Sequence, residues 1–350
     1  MKECRQVWVT RAGGPEVLEV RGSEIPRPGK GDVLIQVEAA GINFADIMAR
    51  RGQYQDAPDL PAVLGLEVAG VVQAVGEGVT SVVPGDPVVA PTRFGGYSSH
   101  ICVPEGFVIK RPLGMPALEG GALLVTYLTA FQAMIVMGGL RTPDELGRPH
   151  RVLIVNASGG VGTAAADLGR IYGAELYGAS SPGKHAFIKE KGYNHAINYR
   201  EEGWHQHAMD LTGGKGFDII LDPVGGANWG HSFDLLTSTG RLVMYGVSTI
   251  VAPGKKNKTL ALMKMLSDIP WRRYSPLSLI NKNQGVMGVN LARMWGQFGE
   301  ARYWIQKLMT YYEEGKVNPQ VDRSFSFDEA GEAHAYIEGR QNRGKVLLVP

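Results

Sequence analysis

The sequence predicts an α/β protein in which a doubly wound parallel sheet follows a smaller β-rich domain. Three observations carry this. Short apolar runs punctuated by Gly and Pro fill the chain to about Pro112; strand and helix patterns alternate from Arg151 onward; and a glycine-rich turn, Ser158-Gly-Gly-Val-Gly162, joins an apolar strand to an Ala-rich helix.

At 350 residues and 44% hydrophobic content, the chain exceeds one ordinary compact domain. The first domain is expected to take residues 1–125 and 300–350, and the second 126–299. In the first, the runs Val17–Val20, Asp32–Ala39, Val68–Val75, Pro87–Ala90 and Tyr97–Val103 have the length and punctuation of strands. Asn43–Arg51 reads as a short helix, with Phe44, Ile47 and Met48 at helical spacing and Asn43 as its cap.

After Pro116 the texture changes to a long apolar helix, Leu118–Gly138. Strands are then expected at Val152–Asn156, Glu175–Ala179, Ala196–Asn198, Asp218–Leu221, Leu242–Tyr245 and Val286–Val289, which is a complete six-stranded sheet. Amphipathic helices follow at Ala301–Glu314 and Phe327–Glu338. A final strand, Lys345–Val349, is left to pair back with the first domain.

Charge is nearly balanced, 36 basic against 34 acidic residues, so the chain carries no overall field for nucleic acid. Two cysteines, Cys4 and Cys102, are too few for a disulfide framework or a structural zinc site and suit a reducing cytoplasm. No signal-peptide core is visible, and no run approaches the roughly 20 apolar residues of a membrane span, so a soluble protein is expected.

The turn at Ser158, Gly159, Gly160 and Val161 has the form of a dinucleotide fingerprint. Glycines let the backbone approach a pyrophosphate, and the following helix offers free N–H groups and the positive end of its dipole. Enzymes that prefer NAD carry an acid about 20 residues later, at the end of the second strand. Here that window is Gly178-Ala-Ser180-Ser181-Pro-Gly-Lys184, with hydroxyls and a cation suited to a 2′-phosphate, so NADP(H) is favoured. Lys184 also reads as a solvated lysine at a helix start; Tyr199 is placed to stack on the adenine or bond the phosphate.

Taken together, Ala40-Gly-Ile-Asn-Phe-Ala-Asp46, Leu64-Gly-Leu-Glu-Val-Ala-Gly70, Val82-Val-Pro-Gly-Asp-Pro-Val88, Thr126-Tyr-Leu-Thr-Ala130, the glycine turn and Gly344-Lys-Val-Leu-Leu-Val-Pro350 resemble the medium-chain dehydrogenase/reductase superfamily. The likeness is to its quinone oxidoreductase, or zeta-crystallin-like, branch. Gly178–His185, Leu221-Asp-Pro-Val-Gly-Gly226 and Val286–Asn290 are most similar to the vesicle amine transport protein homologues.

The resemblance implies a Rossmann domain joined to a GroES-like catalytic domain, with the active site in the cleft between them, and a homodimer. It implies Asn43 and Thr126 beside the nicotinamide and Gly159, Gly160 and Val161 on the pyrophosphate. Gly246, Val247 and Ser248 would line the nicotinamide ribose, and Gly288 and Val289 the carboxamide. Asn342 and Lys345 would reach the 2′-phosphate or serve as an ordinary loop amide and cation.

Zinc enzymes of this superfamily use a Cys, a Gly-His-Glu histidine and a second Cys. Here Asp46 and Leu66 stand at the first two positions, so no metal is expected; Glu67 reads as a hydrogen-bonded acid of the β domain or a stray metal ligand, and His100 as a polar residue at a strand end.

Without a Lewis acid, the chemistry suited to this chain is hydride transfer to a quinone or an enone, whose conjugation spreads the incoming charge. Tyr54 is a candidate for contacting the substrate carbonyl, or a rim tyrosine. Asn43 and Asp46, three residues apart, share a helix face from which both can reach the cleft, so they are catalytic candidates beside Tyr54; Asp46 reads also as a helix-stabilising acid. Two alternatives stand beside this reading: an alcohol dehydrogenase with an atypical metal site, and an NADPH-binding, membrane-associated protein with little turnover. The second rests on Lys255-Lys-Asn-Lys258 leading into Leu260–Ile280, which reads equally as substrate wall or dimer contact.

Overall fold

A computed structural model describes residues 3–249, 263, 267, 269, 271 and 273–350. Two compact units result, one of residues 1–126 and 292–350 and the other of 127–291. The chain thus returns to the first unit at Ala292, earlier than the expected 300.

In the first unit, the long strand Asp32–Gly41, buried along its length except at its start and at Gln36 and Glu38, is the spine of a seven-stranded sheet. It pairs antiparallel with Glu67–Val75 and with His100–Pro104. The closing strand Lys345–Val349 adds to it antiparallel, Leu347 opposite Gly41 and Leu348 opposite Ala40, as the leftover strand in the sequence requires. Val33, Ile35, Val68, Val88, Phe325 and Leu348 form a single core there. The helix Phe44–Arg50 follows directly on the spine strand and is capped by Asn43.

In the second unit, six parallel strands run in the order His195–Asn198, Glu175–Ser180, Arg151–Val155, Phe217–Asp222, Leu236–Met244, Gly285–Gly288. The order reverses between Arg151–Val155 and Phe217–Asp222. In doubly wound sheets that switch point is where ligands lie, outside the carboxyl ends of the strands. Leu153, Ile220 and Leu242 are fully buried, which is why these strands read as continuous apolar runs.

The helix Ala117–Phe131 continues as a π-helical segment, Gln132–Met137. Its 21 residues are long and apolar enough for a membrane span, with a mean hydropathy of 1.6 over the most apolar 18-residue stretch, contrary to the sequence expectation. Because 78% of its most apolar stretch is buried inside the protein, it serves as a core helix.

Candidate functional site

The first group of residues lies where the spine strand ends. Asn43 is 9% exposed, and every polar atom of its side chain is engaged. Its Nδ2 donates to the Gly41 carbonyl at 3.2 Å and to Glu67 Oε1 at 3.1 Å, while its Oδ1 accepts from Lys345 Nζ at 2.5 Å. The Lys345 ammonium also meets Glu67 Oε1 at 2.6 Å, and both side chains are enclosed. Glu67 Oε2 accepts the Val125 N–H at 2.9 Å, so this carboxylate ties the cap of one helix to the middle of another. Thr126 follows at once; its hydroxyl turns back to the Ala122 carbonyl at 2.6 Å, and it is 5% exposed.

Three sequence expectations change here. Lys345 is not turned to a phosphate: its charge is committed to Glu67 and Asn43. Asn342, expected beside it, donates to the Gly344 carbonyl at 2.8 Å and shapes the turn before the last strand. Asp46, proposed as catalytic, is fully buried. One of its oxygens accepts the Asn43 N–H at 2.8 Å and the other the Gly65 N–H at 3.1 Å, so it closes a helix cap rather than facing a substrate. Burial pushes its carboxyl up from 3.8 to about 6, against the pull of those N–H groups and of Lys345.

In the sequence Glu67 reads as a hydrogen-bonded acid or a stray metal ligand, and its link to Asn43 and Lys345 does not show. An isolated acid within the apolar run Leu64–Val75 was the available signal, because a buried carboxylate requires a partner. Tyr54 is partly buried against the first core, and burial, with Asp56 and then Asp46 nearby, raises its hydroxyl above the usual value. It therefore stays protonated and able to donate.

The same partners bear on the metal that zinc enzymes of this fold hold. Asp46 has both oxygens on backbone N–H groups, Leu66 offers no ligand, and Glu67 already faces an ammonium. These residues do not fit a zinc ion. Among the described residues, no three His, Cys, Asp or Glu side chains converge as a metal site.

The second group lies at the carboxyl end of the parallel sheet. Strand Arg151–Val155 leads into a turn with Asn156 at φ 64°, and Gly159 caps the helix Gly160–Ile171. That helix begins within the glycine turn itself, so Gly160, Val161 and Gly162 form its first turn, whose N–H groups have no carbonyl one turn back. A Cβ on Gly162 would stand 2.3 Å from the Ala157 carbonyl oxygen, so only glycine lets helix and turn approach this closely. Tyr193 donates its hydroxyl to the Gly162 carbonyl at 2.7 Å and fixes this turn from behind. Ser158 is 3% exposed.

Along the second strand, Gly178 makes room for packing: a Cβ there would meet Tyr193, Ala157 and Ile188 within 2.9 Å. Ser180 is 1% exposed with its hydroxyl toward the Ser181 carbonyl, which leaves Ser181 and Lys184 as the accessible polar groups of that loop. Tyr199 packs at the margin of the second core, its N–H toward the Ser180 carbonyl at 3.4 Å.

Beyond the switch point, buried Asp222 accepts from the Val224 N–H at 2.7 Å, Asn228 Nδ2 at 2.6 Å and Ser232 Oγ at 2.7 Å. Burial raises its carboxyl against those bonds. The loop it shapes holds the next one, because Ser248 N–H donates to the Pro223 carbonyl at 3.0 Å and Gly246 sits against Pro223. Val247 packs on the same core, and Val289 N–H donates to the Met244 carbonyl at 2.9 Å, just beyond exposed Gly288. Asp222 was missed as a positioning residue, although an acid ending the buried run Phe217–Asp222 marks it.

The loops 156–162, 180–184, 222–226 and 245–249 therefore share one edge of the sheet, as a dinucleotide site requires. Two family models match the chain: an alcohol dehydrogenase GroES-like domain over residues 29–123 and a zinc-binding dehydrogenase over 191–348. The rat synaptic vesicle membrane protein VAT-1 homolog is 35% identical over 336 residues, 95% of this chain and 80% of that protein. The chain belongs to the medium-chain dehydrogenase/reductase superfamily. Among solved structures, the human VAT-1 homolog-like protein superposes with a TM-score of 0.85 at 28% identity, covering 100% of this chain and 99% of the other. Quinone oxidoreductase from Escherichia coli, complexed with NADPH, gives 0.83 at 26% identity, covering 99% and 100%. This superfamily member is an oxidoreductase with a Rossmann-like sheet and a GroES-like unit.

The basic run Lys255–Lys258 lies outside the described residues, as do residues 259–262, 264–266, 268, 270 and 272 after it. Within what is described, Trp271, Leu277 and Ile280 are strongly exposed.

Proposed function

We propose that this protein is an NADPH-dependent reductase that delivers a hydride to a conjugated carbonyl, a quinone or an enone. The observation that carries the reading is the second-strand loop, which offers Ser181 and Lys184 and no acid where an NAD enzyme would hold ribose hydroxyls. The NADPH complex of the structurally similar quinone oxidoreductase supports it.

In this reading Gly159, Gly160 and Val161 carry the pyrophosphate on the first-turn N–H groups, and Ser181 and Lys184 hold the 2′-phosphate by charge-assisted bonds. Tyr199 covers the adenine, while Gly246, Val247, Ser248, Gly288 and Val289 line the nicotinamide half. The cofactor supplies the hydride. Asn43 and Thr126 orient the ring, and Asn43 can do so because Glu67 and Lys345 leave its amide a single arrangement. Tyr54 donates a hydrogen bond to the substrate oxygen, where charge accumulates as hydride arrives. We read the exposed Trp271, Leu277 and Ile280 as a contact with a second copy of the chain in a homodimer of the cytoplasm.

NADPH and NADH oxidation measured side by side against quinones, enones and aldehydes tests the proposal, with Lys184→Ala as the control. Loss of one charge-assisted contact should raise the KM for NADPH about tenfold or more and leave NADH unchanged. Equal use of both cofactors, or an unchanged preference in the variant, contradicts it.

A further inference from the structure

The amino end of the parallel sheet carries a cavity of about 80 Å³ whose polar lining is Arg141, Arg148, His150, Asp218, Thr239 and Arg241. Strand Arg151–Val155 runs from this end to the glycine turn, so at about 3.3 Å per residue the two lie roughly 15 Å apart. Three guanidiniums face one carboxylate here, and the carboxylate is already satisfied. Arg148 binds Asp218 through two bonds of 2.8 and 2.7 Å, and the Arg151 N–H adds a third at 2.8 Å.

The cations retain donors. Arg241 spends one N–H on the Gly138 carbonyl at 2.7 Å, of the five a guanidinium has, and Arg141 forms no ion pair among the described residues. His150 is 7% exposed, and its Nδ1 is buried without a hydrogen-bond partner. Thr239, also in the lining, holds φ 71°, a left-handed backbone that a β-branched residue seldom adopts and that concentrates at ligand sites. Because about 10–15 Å³ of such space admits one water, the cavity has room for a tetrahedral ion.

We propose that this cavity binds a small oxyanion, inorganic phosphate or the phosphoryl group of a phosphomonoester, at the sheet edge opposite the dinucleotide loops. Arg141 and Arg241 supply the uncommitted charge, and His150 supplies a group that responds to the ion. Burial, and then Arg148, Arg141 and Arg241, hold the imidazole below its usual pKa against the pull of Asp218. An anion offsets those three cations, so His150 takes up a proton as the ion enters and binding tightens as pH falls.

Calorimetric titration of the full chain tests this, with NADP⁺ saturating so that phosphate is kept from the dinucleotide loops. Inorganic phosphate should bind one to one, about tenfold more weakly in Arg141→Ala and not detectably in Arg141→Glu. Arg141 is exposed and forms no ion pair among the described residues, so neither change should disturb folding. Methyl phosphate binding as tightly as phosphate identifies a phosphomonoester as occupant; its exclusion identifies the free ion. Sulfate, whose charge is constant between about pH 8 and pH 6, should bind more tightly at the lower pH, and His150→Gln should flatten that dependence. No one-to-one binding, an equal response to chloride at matched ionic strength, or unchanged affinity in the Arg141 variants overturns the proposal.

Discussion

Replacing Lys345 with Met removes the cation that touches the Glu67 carboxylate, while keeping most of the side-chain volume. Both partners are enclosed, at 4% and 0% side-chain exposure and 2.6 Å apart, so solvent cannot take over. Deleting one member of a buried pair costs about 3–5 kcal/mol, mostly through the charge left behind. Glu67 would retain Asn43 Nδ2 at 3.1 Å and the Val125 N–H at 2.9 Å, which places Lys345→Met near the lower end, at about 3 kcal/mol. Glu67→Gln should cost a similar amount by orphaning the ammonium. The double variant should recover about 2 kcal/mol relative to the sum, since no unpaired charge remains. Two units need not unfold together, so native-state hydrogen exchange in strands Asp32–Gly41 and Lys345–Val349 is the appropriate assay. A recovery of that size corresponds to about a thirtyfold change in protection. Additive single effects would refute the view that these residues act as one unit.

Asp46 titrates in the opposite sense to a paired surface acid. Its folded pKa of about 6 exceeds 3.8, so the stability it lends is complete below about pH 3.8 and is lost as pH rises through 6, on the order of 3 kcal/mol. Asp46→Asn should remove this decline, and subtracting its pH–stability curve from that of the parent isolates it; parallel curves between pH 4 and 6 would count against the assignment. Gly162→Ala would place a methyl 2.3 Å from the Ala157 oxygen, and should cost about 1–3 kcal/mol in melting experiments and weaken NADPH binding in a fluorescence titration. If Trp271, Leu277 and Ile280 form a contact between copies, light scattering should give a dimer that Ile280→Glu dissociates, and anionic vesicles should leave the protein in the supernatant; co-sedimentation would favour a lipid surface instead.

Much of the fold could be read from the chain because its local signals agree with one another. The six strands of the parallel sheet were each placed to within a few residues except for one: Leu236–Met244 begins six residues before Leu242, its early part being polar. Helix starts were less legible. Glycines at 159, 160 and 162 look like loop, yet two of them are the first turn of a helix, because close approach to Ala157 outweighs their weak propensity.

The site was legible as a set of loops but not as a set of bonds. Sequence spacing brings Asn43 and Asp46 together, but it cannot show that Asp46 turns inward to the Gly65 N–H. Nor could it show that Lys345, 302 positions from Asn43, arrives beside it on the closing strand. Lys345 reads as a phosphate ligand from its motif, and as a buried structural charge only once the strand pairing is known. The same holds for the amino-end cavity, whose arginines are dispersed between Arg141 and Arg241 and form no motif.

Direct hydride transfer is the central claim, and deuterium tests it most directly. NADPH carrying deuterium at the transferred position of the nicotinamide should be consumed with a simple enone, and the saturated product should carry that deuterium on its β-carbon, with a solvent proton on the α-carbon. A β-carbon free of deuterium, or no consumption of NADPH with any conjugated carbonyl, would contradict the account.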